Sequence, residues 1–455
     1  MARFDSLDAW LNWQEQLHPR PIDLGLERVA AVYRQLDLDR KKTPTVTVAG
    51  TNGKGSCIAF LEAIYRAQGY KVGAYTSPHI LRYNERIRID GQPVSDDAIC
   101  QAFNRIDTIR GETSLSYFEF GTLAALELFS AANVDVRLLE VGLGGRLDAV
   151  NIVDSDAAVV TTIAIDHVDW LGHTEEAIGR EKAGIFRGGV PAIIGDPQPP
   201  ESLLDVALEK NARLMQIGQA FNYCKHQGGW DWYTAECRLQ NLPEPVFKGE
   251  HQFRNASAVL MAVTALQELL PVDDAAIRFG LQHAQLKGRF QLVGCNRSGQ
   301  FAALPPSVGG GGDCAGQFPG HSSPVGGVGD IPVLLDVGHN PQAVQTLIDY
   351  LQEAFPAVKI HAVFAMMKDK DIVGVLSIMR DHVDAWYLAP LKNPRAASEE
   401  LLKNYFQQLD IEKVSGGFAD FSAAFNAARD NALPGELILV FGSFFLVSEY
   451  LSKFA

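Results

Sequence analysis

Cysteine is scarce: six in 455 residues, with no CxxC pair among them. That excludes a disulfide scaffold and a paired-cysteine zinc site, and it fits a reduced compartment. No apolar run reaches the ~20 residues that cross a bilayer, so no membrane-spanning helix is expected. The opening Met-Ala-Arg-Phe-Asp is polar and lacks the apolar core of a secretory leader. The expected location is therefore the cytoplasm. Long basic runs are also missing, and the net charge is −14. Neither non-specific nucleic-acid binding nor attachment to an anionic membrane is expected. The substrate stays open, because an acidic protein can hold a local basic site.

What is present is apolar bulk, 47% of the chain, enough for well-buried cores. The length exceeds one ordinary core, so two domains are expected. The most informative stretch is Val46-Thr47-Val48-Ala49-Gly50-Thr51-Asn52-Gly53-Lys54-Gly55-Ser56. A β-branched run stops at Gly50, a polar glycine loop follows, and a helix starts near Lys54 with Ile58, Leu61 and Tyr65. Strand, loop and helix form a phosphate cradle: turned-in N–H groups and a helix N-terminus attract anions. Lys54 can reach the outer phosphates and Ser56 a bound magnesium. The strict P-loop spacing is not met, since its early glycine falls at Val48 and Gly55 separates Lys54 from Ser56. Alone, the loop says ATP or GTP; the plain alternative is a βα turn with one exposed lysine.

Ser6 caps a first helix with Leu7, Trp10, Leu11 and Leu17, ended by Pro19 and Pro21. A second helix carries Val29, Val32, Tyr33 and Leu36. Strands are expected at 71–75, 136–141, 157–163 and 191–195, and helices at 117–131, 175–185, 252–270 and 275–284. This βα alternation predicts a mainly parallel sheet covered on both faces. Residues 216–247 read as an antiparallel appendage. The Gly/Pro-rich stretch 297–330 reads as a mobile insertion, with a regulatory or docking loop as the alternative. Strands at 333–337, 360–364, 385–388 and 437–441 make a smaller second domain of Rossmann type. The expected fold class is α/β: an N-terminal P-loop-type ATPase domain with a mainly parallel sheet, plus a smaller C-terminal Rossmann-like domain.

Polar groups gather at strand ends. Glu140 closes an apolar strand beside Gly142, Gly144 and Gly145, where a carboxylate can bind magnesium; an ion pair with Arg146 is the alternative. His167 follows another strand. Lys182, on a helix, reads by itself as a solvated lysine. Arg289 can meet a γ-phosphate as arginine fingers do, or form an interdomain ion pair. Asp336 can accept from ribose hydroxyls, with Asn340 and Pro341 starting the next helix.

Together these stretches resemble the folylpolyglutamate synthase/dihydrofolate synthase enzymes, within the Mur-type ATP-dependent amide ligases. The matching motifs are Gly50 to Ser56, Thr76-Ser77-Pro78-His79, Glu140 to Ala149, Asp166-His167, Arg180 to Phe186, Gly288-Arg289-Phe290, Asp336 to Pro341 and Gly442-Ser443-Phe444. They span nearly the whole chain in family order. Two departures stand out: the insertion 297–330, and Gly338 where alanine is common. The resemblance implies a Mur-ligase-like ATP-binding domain over 1–296 and a ligase domain over 331–455, with the active site between them. Thr51, Asn52, Gly53 and Lys54 would hold phosphates, and Asn255, Arg289 and Asp336 would complete the ATP site. Ser77 and Glu140 would bind one magnesium ion and His167 a second. Lys182 would carry a carbamate. Ile22-Asp23-Leu24, Ser116-Tyr117-Phe118-Glu119 and Leu147-Asp148-Ala149 resemble the pterin-binding segments of bifunctional bacterial members, where aromatics and carboxylates suit a flat, donor-rich heterocycle.

The implied substrates are 7,8-dihydropteroate, reduced folates and L-glutamate, with ATP and two magnesium ions. The catalytic set would be Lys54, Lys182, His167 and Arg289. A monomer is expected. The alternatives are a folylpolyglutamate synthase without the first reaction, and a binding protein that uses ATP as a switch.

Overall fold

The computed structural model describes residues 3–20, 22–38, 42–295, 301–302 and 331–454. The chain divides into two compact units: 1–246 with 251–286, and 247–250 with 287–455.

Unit 1 carries strands β1 Thr45–Ala49, β2 Val72–Tyr75, β3 Ile87–Ile89, β4 Gln92–Pro93, β5 Val136–Glu140, β6 Ala157–Val160, β7 Pro191–Ile194 and β8 Arg213–Gln216. They form one sheet in the order β4-β3-β2-β5-β1-β6-β7-β8. From β2 across to β8 all pairings are parallel, and β3 and β4 add an antiparallel edge. Strand β1 sits between β5 and β6, with Val46 opposite Leu138 on one side and Ala157 on the other. All residues of β1, β2, β5, β6 and β7 are buried, as a sheet covered on both faces requires.

The helices of this part of the chain are α1 Leu7–Leu17, α2 Glu27–Leu36, α3 Lys54–Ala67, α4 Asp96–Arg110, α5 Tyr117–Ala131, α6 Val168–Leu171, α7 Glu175–Lys182, α8 Glu201–Glu209, α9 Glu250–Ala265 and α10 Asp274–His283. Their starts follow local chemistry. Ser6 Oγ accepts from Ala9 N at 3.3 Å, and Ser116 and Glu119 form a reciprocal capping box that opens α5. The apolar stripe Val29, Val32, Tyr33, Leu36 faces inward as its spacing predicts. The appendage is β9 Phe221–His226, β10 Gly229–Thr234 and β11 Arg238–Leu242, an antiparallel sheet in the order β11-β10-β9.

Several boundaries move. Strand β6 stops at Val160 because Thr161 turns its hydroxyl to the Asn52 carbonyl, 2.5 Å away. Helix α7 tightens into a 3₁₀ turn over Ala183–Ile185, where a Cβ on Gly184 would lie 2.3 Å from Arg146 Cβ. Helix α9 ends at Ala265, after which Leu266 N bonds both the Ala262 and Val263 carbonyls. Helix α1 ends at Leu17, and Pro21 lies outside the described residues.

Unit 2 holds β12 Gln291–Cys295, β13 Phe301–Ala302, β14 Ile331–Asp336, β15 Ile360–Phe364, β16 Ala385–Leu388, β17 Val414–Ser415 and β18 Leu437–Phe441. Their order is β13-β12-β14-β18-β15-β16-β17, parallel from β14 to β17. Residues 291–295 fall in the expected first domain, 1–296, yet they form β12, which pairs antiparallel with β14, Gln291 opposite Leu335. The division accordingly falls between 286 and 287, not at 296. Apart from β13, the expected insertion 297–330 lies outside the described residues. After β14 the chain enters α11 Pro341–Ala354.

Candidate active site

Strands β2, β5, β1 and β6 are neighbours and parallel, so the loops leaving them share one sheet edge. That edge collects the unit-1 motifs. Gly50 has φ +143°, and a Cβ there would lie 1.8 Å from Thr161 Oγ1, so glycine is required by both backbone and space. Thr51 N donates to Thr162 O at 2.7 Å, and Thr51 Oγ1 pairs with both the N and O of Ala164 at 3.1 Å. The loop is thereby fixed to the β6 exit. Gly53 stands at the N-cap of α3 with φ +88°, and no side chain caps this helix.

Lys54 is half-buried and folds back over the loop, with Nζ donating to Gly50 O at 2.9 Å and Thr51 O at 3.1 Å. Lys182 Nζ donates to the same Gly50 oxygen at 2.9 Å. The two lysine nitrogens therefore sit within two hydrogen-bond lengths of each other. Lys182 is only 6% exposed, which overturns its reading as a surface lysine. The C-terminal end of α7 is brought in by Gly145, where a Cβ would lie 2.8 Å from the Lys182 carbonyl oxygen.

Glu140 ends β5, buried at 5% exposure, and its Oε2 accepts from Ser77 N at 3.1 Å. Arg146 instead forms its ion pair with Glu181. Among the described residues no group of three or more His, Cys, Asp or Glu gathers as a metal cage. A strand-end carboxylate bonded to the backbone of a serine fits a hard, oxygen-seeking cation that takes its other ligands from phosphate and water. His167 opens α6 with φ +53° and lies 3.9 Å from the Asp166 carboxylate. It sits on the segment that starts at Ala164, which Thr51 anchors.

Asn255 on α9 lies over the cradle, its Oδ1 2.6 Å from where a Gly53 Cβ would be. Sequence reasoning missed its support. Gln252, one helical turn earlier, accepts from Asn255 Nδ2 at 3.1 Å and donates to Ser56 Oγ at 3.3 Å. The three-residue spacing that puts Gln252 and Asn255 on one helix face was the available signal.

The pterin-segment residues also meet. Arg28 Nη1 donates to Asp23 Oδ2 at 2.7 Å, and Nη2 to Glu119 Oε1 at 3.1 Å, joining two of the three segments. His18 Nε2 is 3.0 Å from the same Asp23 oxygen. The hydrogen bond with His18, more than the Arg28 charge, lowers the Asp23 carboxyl. The third segment enters through Phe118, whose ring would meet a Gly142 Cβ at 2.6 Å. Gly142 N and Leu143 N donate to Asp148 Oδ2 at 3.0 and 2.8 Å, and Val150 N to Oδ1 at 3.0 Å. Burial pushes the Asp148 carboxyl up to about 6, against these donors and the Lys54 charge. Ile22, Leu24, Tyr117 and Leu147 are half-buried and Ala149 is buried. Arg28 and His18 were missed, because nothing local marks them as partners of residue 119 or 23.

Arg289 and Asp336 belong to unit 2. Asp336 accepts from Gly338 N at 2.7 Å and Phe290 N at 3.2 Å. Burial raises its carboxyl, and the Arg289 charge opposes the rise. The Arg289 guanidinium lies 5.3 Å from the Phe444 ring centre. The two predicted residues thus face one another's charge within their own unit.

Two family models match: the Mur ligase middle domain over residues 48–263, and the Mur ligase glutamate ligase domain over 323–444. The dihydrofolate synthase/folylpolyglutamate synthase of Escherichia coli K12 is 43% identical over 444 residues, covering 97% of this chain and 94% of the relative. A solved Escherichia coli structure in complex with DHPP and ADP superposes with a TM-score of 0.84 at 41% identity, covering 98% of this chain and 97% of that one. A bifunctional folylpolyglutamate synthase/dihydrofolate synthase with Mn, AMPPNP and L-glutamate bound gives 0.84 at 42% identity, with 98% coverage of both chains.

Proposed function

The chain belongs to the Mur ligase family, and from that premise we propose that it joins L-glutamate to 7,8-dihydropteroate and then further glutamates to reduced folates. The observation that carries this reading is the shared sheet edge, where an uncapped phosphate cradle, two lysines on one carbonyl oxygen and the Glu140–Ser77 pair converge.

A carboxylate is a poor acyl donor and needs activation. The substrate carboxylate attacks the γ-phosphorus of ATP, giving an acyl phosphate and ADP. The glutamate amine then adds to the acyl carbon, and the tetrahedral adduct expels phosphate to leave the amide. The cradle of Thr51, Asn52 and Gly53 holds phosphate oxygens, with the Thr51 N–H itself staying on Thr162 O, and Lys54 swings from the Gly50 carbonyl to offset charge on the transferring group. Asn255, Arg289 and Asp336 are assigned to the nucleotide. Ser77 and Glu140 would hold one magnesium ion and His167 a second; bound there, magnesium supplies charge neutralisation and a template for the phosphate oxygens. Exclusion of water protects the acyl phosphate from hydrolysis. Asp23, Glu119, Asp148 and the Phe118 ring offer carboxylates and an aromatic face to a pterin.

Lys182 is assigned a carbamate. The lysine is buried, and its amine nitrogen shares the Gly50 carbonyl oxygen with Lys54. That amine adds to CO₂, a proton leaves, and the side chain becomes an anion suited to a metal-bearing site. Lys182→Arg cannot form it, so both Lys182→Arg and Lys182→Ala should lose most activity. Wild type stripped of CO₂ should recover on adding bicarbonate; full activity without CO₂ would end the assignment.

Among the described residues no helix is long and apolar enough to cross a membrane. The reading extends to a cytoplasmic monomer, and light scattering of the purified chain tests the oligomeric state. The deciding experiment for the reaction is ADP release on mixing ATP, dihydropteroate and glutamate. Release that depends on all three is expected. Activity only with reduced folates would leave a folylpolyglutamate synthase, and no glutamate dependence would remove the ligase reading.

A further inference from the structure

Behind the metal-side loop lies an ion pair that neither the motifs nor the mechanism uses. Glu62 sits on α3, two helical turns beyond Lys54, and Arg88 lies on β3. Both are buried to within a fifth of full exposure, at 9% and 18% for the side chains. Every guanidinium nitrogen of Arg88 is engaged. Nε donates to Glu62 Oε2 at 3.0 Å and Nη2 donates to the same oxygen at 2.8 Å. Nη1 donates to Thr76 Oγ1 at 3.1 Å and to Glu85 O at 3.0 Å. Thr76 N in turn donates to Arg86 O at 2.9 Å. Thr76 is the residue before Ser77, whose N–H meets Glu140. A single planar fork thus spans the helix that begins at the phosphate cradle and the loop that presents Ser77.

We propose that Arg88 is a positioning residue for the ligation reaction: it fixes the Thr76-Ser77 loop against α3 and so sets where the Ser77 hydroxyl meets a divalent cation. The inference rests on the assignment of Ser77 as a metal ligand. Stability alone does not account for the arrangement, since a buried ion pair is often replaceable by apolar groups at little net cost. What an apolar pair would not supply is a fixed distance between two ligand-bearing elements. A guanidinium does so because its donors are held in one plane, whereas a lysine ammonium reaches one partner as a point charge.

The test is Mn²⁺ binding to the full chain with AMPPNP, followed by the electron paramagnetic resonance of free Mn²⁺. Three variants are compared with wild type: Arg88→Lys, Thr76→Val and Ser77→Ala. Loss of an outer-shell partner weakens metal binding by about tenfold or more, and that is the effect expected for Arg88→Lys and Thr76→Val. ADP affinity measured in EDTA should stay at the wild-type value in both, which a general loosening of the fold would not allow. Thr76→Val removes the two hydrogen bonds of the Thr76 hydroxyl, from Arg88 Nη1 and to Glu85 O at 3.4 Å, and leaves the Glu62 pair in place, so the proposal stays testable if Arg88→Lys folds poorly. Wild-type Mn²⁺ affinity in both variants, with weak binding in Ser77→Ala, overturns the positioning role alone. Wild-type affinity in Ser77→Ala overturns the ligand assignment beneath it.

Discussion

Strands β1 and β14 each end buried, turn through a short loop and enter a helix, α3 in unit 1 and α11 in unit 2. In unit 2 the chain's own side chains take up the loop N–H groups. Asp336 accepts from Gly338 and Phe290, and Asn340 caps α11 by accepting from Ala343 N at 2.9 Å. In unit 1 no side chain caps α3, and its first turn holds no acidic residue. An anion site at a strand–loop–helix junction is thus made by withholding an internal acceptor as much as by adding a lysine. The second loop has the same covalent plan but is electrostatically self-satisfied, so Asp336 serves its own loop as well as the nucleotide assigned to it.

The strongest break of this contrast is Lys54→Ala. It should lower ligation by about 10²–10³-fold, with circular dichroism and melting temperature close to wild type. Near-normal turnover would remove the cradle assignment. Next comes Gly50→Ala, which forces a side chain onto Thr161 and keeps a positive φ. Urea unfolding should show a loss of about 2–4 kcal/mol; a neutral result would mean the loop relaxes without strain. Asn340→Ala removes only a cap and should cost about 1 kcal/mol. Its ADP affinity should be unchanged, and a clear loss of affinity would give Asn340 a share in nucleotide binding beside the one assigned to Asp336.

The smallest effect sharpens the same contrast through pH. Asp148 is a buried aspartate whose folded carboxyl is raised to about 6 from 3.8. Between those values the folded chain holds a proton that the unfolded chain has released, so this group lowers stability as pH rises through the window. Asp148→Asn should therefore show less decline in melting temperature from pH 4 to pH 6.5 than wild type. An equal decline in both would mean the carboxylate stays ionised in the folded chain.

What was legible in the sequence was local. Helix α5 runs from Tyr117 to Ala131, the bounds expected of it. The β1–loop–α3 unit is equally local, and its glycines announced themselves. What was not legible depends on distant partners. Lys182 looks like a surface residue until Gly50 and Gly145 are seen to enclose it. Strand β12 reads as the end of the first domain because its partner β14 lies beyond a long insertion. Arg88 and Glu62 stand on different elements, and neither belongs to a motif. Motifs pointed to Asn255, Asp23 and Glu119 as candidates, whereas the groups that bond to them, Gln252 and Arg28, have no spacing signature of their own beyond one helical turn.

The central place of β1 has a consequence for synthesis of the chain. Its two edges are closed by β5 and β6, which emerge from the ribosome roughly 90 and 110 residues later. Until then the strand that carries the cradle has apolar faces and two open edges, the combination that invites pairing with other chains. A nascent chain halted before Val136 should be captured by chaperones or aggregate, whereas one extended past Ile194 has the strands to close the middle of the sheet. Nucleotide would find no cradle on the shorter chain, because the Thr162 and Ala164 anchors of its loop have not yet been made.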